Sequence, residues 1–132
     1  VGGFEGEHVS VSPSWAWPKP SQTVRGRPGV PVLVGGAPGP KLFAHIAEYA
    51  DGWIPMGGSG LAESLGDLRR AAEAAHRDPA ELRTIPFGTL PTTGKLEHYA
   101  SLGITETVLR LPSAGRDEVL TVLDSFTPFL SA

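Results

Sequence analysis

The sequence predicts an α/β fold in which four parallel strands alternate with helices. Short apolar segments recur at 32–34, 53–56, 84–89 and 107–111, and each is followed by a loop rich in glycine or proline. An amphipathic stretch follows every loop, and alternating strands and helices favour a parallel sheet. The chain has 132 residues, which is the size of one domain. Four strands suffice for a small open sheet and are half the number in a (β/α)8 barrel.

Composition excludes several classes of protein. The net charge of -3 gives no reason to expect a nucleic-acid partner. No apolar run approaches the ~20 residues of a membrane span, and no secretory signal is visible. Cysteine is absent, and the four histidines have no metal-ligand spacing. We therefore expect a cytoplasmic protein with no metal site, no membrane span and no nucleic-acid partner.

The first segment, residues 1–29, is predicted to be a loop-rich arm ahead of the β-α units in residues 30–132. Brief alternation over 4–11 predicts a short strand or hairpin arm, and 22–29 resembles a polar connector. Prolines between positions 13 and 20 exclude a helix there. Trp15 and Trp17 fall on one side of an extended chain, so they either anchor the arm or wall a ligand cavity.

The first β-α unit contains the first candidate site. Its strand, 32–34, is apolar without polar alternation, which is typical of a strand buried on both faces. Gly35 and Gly36 follow, and a helix is predicted over 40–49 with Pro40 in its first turn. The apolar stripe of this helix consists of Leu42, Phe43, Ile46, Ala47 and Ala50. Because ligands bind at the carboxyl ends of parallel strands, the loop 35–39 is a candidate ligand site.

The other three units repeat this order. Helices are predicted over 61–76, 95–102 and 117–126, with Ser59 as the amino-terminal cap of the first and Gly103 ending the second. Pro86 lies inside the strand 84–89 and predicts a bulge or an early strand end. The residues predicted to face inward are Leu61, Leu65, Leu68, Ala72, Ala75, Leu96, Tyr99, Ala100, Val119, Leu120, Leu123 and Phe126.

Three features have both a binding and a structural interpretation. The loop 35–39 either holds an anion through backbone N–H groups and the helix dipole or is a plain tight turn. Its glycine spacing fits neither a dinucleotide fingerprint nor a Walker A loop. Arg110, near the end of an apolar strand, either meets an anion at a pocket mouth or makes a structural pair. Asp51 either caps or pairs locally, which is the favoured interpretation, or takes part in catalysis.

Four motifs in a fixed order carry a family resemblance. They are Phe4 to Gly6, the run Trp-Pro-Lys-Pro-Ser-Gln at 17–22, Pro-Val-Leu-Val-Gly-Gly at 31–36, and Ala-Glu-Tyr-Ala-Asp-Gly-Trp at 47–53. Together they resemble the luciferase-like monooxygenase family, and within it the branch that uses the deazaflavin coenzyme F420. The resemblance covers essentially the whole chain but only the carboxyl-terminal half of a family member.

The resemblance implies a fold, a cofactor and a site. The fold would be the carboxyl-terminal half of a (β/α)8 TIM barrel, with the cofactor at the carboxyl face of the strands. The family's loop at this place lies against the cofactor's phosphate end, which implies cofactor-binding roles for Gly35, Gly36 and Ala37, extended to Pro38 and Gly39. Arg110 joins these candidates through its position at a strand end. Because flavin-using relatives tend to have serine in this loop, coenzyme F420 is expected and FMN is the alternative.

The implied chemistry is hydride transfer at the cofactor ring, or monooxygenation in the flavin branch, and the residues name no general acid or base. The chain begins with Val1 and lacks four strands of a barrel, so we expect a fragment that is inactive alone and whose open edges favour a homodimer. One alternative is a stand-alone α/β binding or interaction module without catalytic activity. Another is an enzyme acting on sugar phosphates, with which Gly35, Gly36 and Arg110 are also compatible.

Overall fold

The computed structural model describes residues 2–15 and 17–130 and divides into two units, 1–31 and 32–132. The two units are described separately below. The proposed organisation, an arm over 1–29 and a half-barrel over 30–132, stays a prediction.

The described residues of the first unit, 2–15 and 17–31, form two short antiparallel strand pairs. Strand β1 (Phe4–Glu5) pairs with β2 (Ser10–Val11), within the segment where the sequence predicts a hairpin arm. Strand β3 (Thr23–Val24) pairs with β4 (Arg27–Pro28), although the sequence predicts only a polar connector there. Both turn residues between β3 and β4 have positive φ, which is the geometry of a two-residue hairpin turn. The glycine at position 26 was the sequence feature that could have indicated this hairpin turn.

The described residues of the second unit, 32–130, contain five short parallel strands. Strands β5 (Leu33–Gly35), β6 (Gly52–Ile54) and β7 (Arg83–Thr84) form one sheet in that order. Strands β8 (Phe87–Thr89) and β9 (Val108–Leu109) form a second parallel pair. The predicted third strand is therefore interrupted at Pro86, as its missing N–H group predicts. The alternation of parallel strands and helices is confirmed.

Among the described residues, three α-helices lie between these strands and a fourth follows β9. They are α1 (Pro40–Tyr49), α2 (Leu61–Ala74), α3 (Thr93–Ser101) and α4 (Arg116–Phe126). Short 3₁₀ helices lie at Pro79–Glu81 and Thr127–Phe129. Among the described residues, no helix has the length and apolar character needed to cross a bilayer.

The hydrophobic core of the second unit forms where α1 and α2 pack over β6. Trp53 is 1% exposed and meets the ring of Phe43 edge to face, with ring centroids 5.1 Å apart. The predicted stripe of α1 is confirmed, because Phe43, Ile46, Ala47 and Ala50 are buried and Leu42 is partly buried. The main core cluster consists of Phe43, Ile46, Ala50, Trp53, Leu61, Leu68, Tyr99 and Ile104.

Several predicted positions on the later helices are wrong. Ala75 is exposed because α2 ends at Ala74, and Ala100 is exposed because its neighbour Tyr99 takes the inward position on α3. Leu120 and Leu123 on α4 are 40% and 43% exposed, since nothing in the described part of the chain covers them fully. The cap of α2 is Gly60, in a left-handed conformation, so Ser59 lies one residue too early.

Asp51 joins the end of α1 to the start of β5. Its carboxylate Oδ2 accepts from the Val32 N–H at 2.7 Å, and its own N–H donates to the Val32 carbonyl at 2.6 Å. Arg77 lies 3.9 Å from the same carboxylate and donates to the carbonyls of Ile46 and Ala50 at the last turn of α1. Asp51 therefore has the structural role that the sequence predicts, but its partners Val32 and Arg77 are distant in the sequence and not local, and this network fixes where β5 begins.

Candidate functional site

The glycine loop between β5 and α1 lies at the carboxyl end of its strand. Strand β5 ends at Gly35 and α1 begins at Pro40. The neighbouring strand holds the loop through two contacts: the Gly36 N–H donates to the Ile54 carbonyl at 3.4 Å, and the Trp53 indole Nε1–H donates to the Gly36 carbonyl at 3.0 Å. The path of the loop is therefore fixed by β6 as well as by its own flanking elements.

Gly36 is the position in this loop where only glycine fits well. Its φ is 155°, a conformation that side-chain-bearing residues rarely adopt. A Cβ at this position would also meet both methyl carbons of Leu42 at 3.4 Å. A Cβ at Gly39, in contrast, would have open space around it.

The amino terminus of α1 faces the loop without a side-chain cap. Its cap residue is Gly39, and the Phe43 N–H makes the bond to the Gly39 carbonyl at 3.0 Å. Pro40 has no N–H group. The first-turn amides without an acceptor inside the helix are therefore those of Lys41 and Leu42. The first turn holds no acidic residue, and the helix dipole there favours an anion.

A cavity of about 410 Å³ opens beside this helix end. Its lining consists of Ala37, Gly39, Pro40, Lys41, Leu42 and His45. Backbone amides and the Lys41 ammonium group are suitable ligands for a phosphate, so the residues present fit the phosphate end of a cofactor. We call this space the loop cavity.

A second cavity, of about 450 Å³, lies at the carboxyl ends of β6, β8 and β9. We call it the arginine cavity. Its lining consists of Gly57, Gly58, Ser59, Gly88, Thr89, Leu90, Lys95, His98, Tyr99 and Arg110. The Lys95 ammonium group donates to the Leu90 carbonyl at 2.9 Å, and Arg110 has no ion-pair partner within the part of the chain that the structure describes.

The six sequence-predicted site residues thus fall into two groups. Gly35 to Gly39 form the loop, and Ala37 and Gly39 line the loop cavity. Arg110 lines the arginine cavity instead, which shares no lining residue with the loop cavity. Sequence reasoning did not identify Lys41, Lys95 or Tyr99 as lining residues. The signal available for the second group was the loop 57–60, which follows a strand and precedes a helix as the loop 35–39 does.

Metal binding has no support in the described residues, where no group of three or more histidine, aspartate or glutamate side chains could hold an ion. The chemistry that the two cavities offer is the recognition of anions by amides and cations at the carboxyl ends of parallel strands.

The sequence of this chain is similar to those of known proteins. Residues 1–97 match the model of the luciferase-like monooxygenase family. The uncharacterized proteins Rv0953c of Mycobacterium tuberculosis (strain H37Rv) and Mb0978c of Mycobacterium bovis are each 36% identical over 122 residues, or 92% of this chain. The chain spans 41% of the length of these curated relatives.

One solved structure that is similar is the crystal structure of DmoA from Hyphomicrobium sulfonivorans. It is 21% identical with a TM-score of 0.42, and the alignment covers 75% of this chain and 22% of that one. The family match spans most of the chain and agrees with the motif order in the sequence. The chain belongs to the luciferase-like monooxygenase family.

Proposed function

We propose that this chain is the carboxyl-terminal half of a (β/α)8 barrel in an oxidoreductase that binds coenzyme F420, with FMN as the alternative, at the loop 35–39. Members of the luciferase-like family generally use flavin or F420 cofactors, and membership supports an oxidoreductase. The reaction proposed is hydride transfer to or from a small-molecule substrate.

Three observations support the half-barrel. The chain corresponds in length to 41% of its curated relatives, and its strands pair in parallel with helices between them. Third, apolar side chains are exposed on the strands at Phe87 and Val108 and directly before β5 at Val32. Further strands of a closed barrel would cover such side chains and pair the open edges.

The observation that carries the cofactor assignment is the construction of the glycine loop. It lies at a strand's carboxyl end, its backbone is held by the Trp53 indole, and it leads into an uncapped helix terminus with Lys41 beside it. This is a geometry that binds phosphate through backbone amides, and a phosphate group is common to F420 and FMN.

The preference for F420 depends on the residue types in the loop. Flavin-using relatives tend to have serine there, whereas residues 35–39 are Gly-Gly-Ala-Pro-Gly. When bound, the cofactor would supply the hydride chemistry. The loop 35–39 would bind the phosphate end of the cofactor, and Trp53 would hold that loop in place. The chain would thereby orient the cofactor for the reaction.

The test is a titration of the natural full-length protein with F420 and FMN, followed by fluorescence. We expect saturable binding with a lower Kd for F420, and a much weaker Kd for riboflavin, which lacks the phosphate, than for FMN. Equal affinities for riboflavin and FMN would contradict the phosphate role of the loop. Absence of binding for every one of these compounds would favour the stand-alone binding module.

A further inference from the structure

We propose that the arginine cavity is a second anion site, which binds the phosphoryl group of a phosphorylated small-molecule substrate. The identification of this anion as part of a substrate rests on the proposed function. The existence of the site rests on the cavity alone.

The first argument is charge. The cavity is lined by two cationic side chains, Lys95 on α3 and Arg110 directly after β9, and by no carboxylate. Arg110 is exposed and has no ion-pair partner among the described residues, so its five N–H donors are available. A guanidinium fork matches the oxygens of a phosphoryl group in a way that a neutral ligand could not use.

The second argument is a tyrosine hydroxyl group at the cavity wall. Tyr99 is 4% exposed and belongs to the hydrophobic core, yet its side chain reaches the lining of this cavity. Among the described residues its hydroxyl has no hydrogen-bond partner. Among the described residues, the buried side-chain atoms without a hydrogen-bond partner do not include the Tyr99 oxygen, so this hydroxyl is open to the cavity and can donate to a ligand there.

The third argument is the shape of the loop 57–60. It packs closely on Tyr99, because a Cβ at Gly58 would lie 2.6 Å from the tyrosine oxygen. The loop ends in Gly60, which has φ +65° and caps α2 without a side-chain hydrogen bond. The backbone of residues 57–59 therefore lines the cavity together with the two cations and the tyrosine hydroxyl.

These donors favour a phosphoryl group over a single carboxylate. Arg110, Lys95 and Tyr99 come from two separate elements and converge on one cavity, which matches an anion with three acceptor oxygens. The cavity lies at the carboxyl ends of β6, β8 and β9, on the same side of the strands as the loop after β5. A substrate anchored here would approach the cofactor's side of the fold without competing for the loop cavity.

The experiment measures binding of inorganic phosphate to the natural full-length protein, saturated with F420 or FMN, by calorimetry at low ionic strength. We expect Arg110→Gln to raise the Kd about tenfold or more, and Tyr99→Phe to raise it severalfold. Arg110→Lys, which keeps the charge and loses the fork, should fall between wild type and Arg110→Gln. The matched control is Arg116→Gln, because Arg116 is exposed, pairs with Asp117 and does not line the cavity.

An unchanged Kd for phosphate in Arg110→Gln would overturn the inference. Phosphate binding that is seen without the cofactor but not with saturating cofactor would also overturn it, because the cofactor itself would then fill the cavity. Arg110-dependent phosphate binding in a protein that binds neither cofactor would support the anion site and refute the proposed function. Thermal unfolding of each variant checks that the fold is retained, and Arg110 is an exposed position where folding should be unaffected.

Discussion

Trp53 and Gly36 are joined across two adjacent strands. The buried indole Nε1–H of Trp53 donates to the Gly36 carbonyl at 3.0 Å, while the ring packs edge to face on Phe43 of the helix that follows the loop. One side chain in the core therefore fixes both the glycine loop and the helix whose amino terminus completes the loop cavity. This relationship connects the stability of the fold to the candidate cofactor site.

Trp53→Phe tests that connection. Phenylalanine keeps an aromatic ring for Phe43 but cannot donate to the partly buried Gly36 carbonyl. We expect the free energy of unfolding to fall by about 1–3 kcal/mol and the Kd for the cofactor to rise. Urea unfolding followed by circular dichroism gives the first quantity, and cofactor titration gives the second.

The control for this variant is Trp15→Phe, because Trp15 is exposed. It should leave the unfolding free energy unchanged. A Trp53→Phe protein that loses stability but binds the cofactor with wild-type affinity would show that the indole supports the core and not the loop.

Arg77 is expected to be the most costly charged residue to replace. Its guanidinium donates to carbonyls at the end of α1 and lies 3.9 Å from the buried Asp51 carboxylate. Arg77→Met would leave that carboxylate and those carbonyls without their cation, so we expect a loss of about 3 kcal/mol. Arg70→Met removes an exposed pair with Asp67 and should cost less than about 1 kcal/mol. Equal unfolding free energies for the two variants would contradict this account.

Gly52 and Gly94 are predicted to respond in opposite directions to alanine. A Cβ at Gly52 would lie 2.3 Å from the Arg83 carbonyl oxygen on the neighbouring strand, so Gly52→Ala should destabilise the protein by about 1–3 kcal/mol or more. A Cβ at Gly94 would meet nothing within 4 Å, and Gly94 lies inside α3. Gly94→Ala should therefore raise the melting temperature, with a gain of up to about 1 kcal/mol. A stabilised Gly52→Ala variant would argue against the β6–β7 pairing.

Local signals predicted the parts of the fold that depend on local chemistry. Helix α1 has its predicted bounds, because Pro40 and the apolar stripe act within one helix. Pro86 interrupts the third strand because a proline has no N–H for the ladder, and Gly103 has the expected positive φ after α3. Strand lengths were less predictable. The strand expected over 107–111 spans only Val108–Leu109, because β9 is a strand only where it pairs with β8.

The candidate site was predictable only in part. The loop 35–39 was identified because glycine runs at strand ends are a local pattern. Arg110 lines a different cavity from that loop because of which strands lie next to one another in the fold. The order of strands in a sheet cannot be read from one segment of the sequence. Tyr99 and Lys95 were missed because they lie on a helix, where an inward tyrosine is indistinguishable in sequence from a core residue. Leu120 and Leu123 show the same limit, since an apolar face does not specify what covers it.

Gly36→Val gives the most direct test of the central claim, that the glycine loop binds the cofactor. Valine is disfavoured at φ 155°, and its Cβ would already touch the Leu42 methyl groups at 3.4 Å, so we expect its branched side chain to displace the loop. The measurement is the Kd for F420 and for FMN in the natural full-length protein, with Gly115→Ala as the control, since a Cβ at Gly115 meets nothing within 4 Å. We predict at least a tenfold higher Kd in Gly36→Val and a wild-type Kd in the control. Unchanged affinity in a folded Gly36→Val protein would contradict the assignment of the loop.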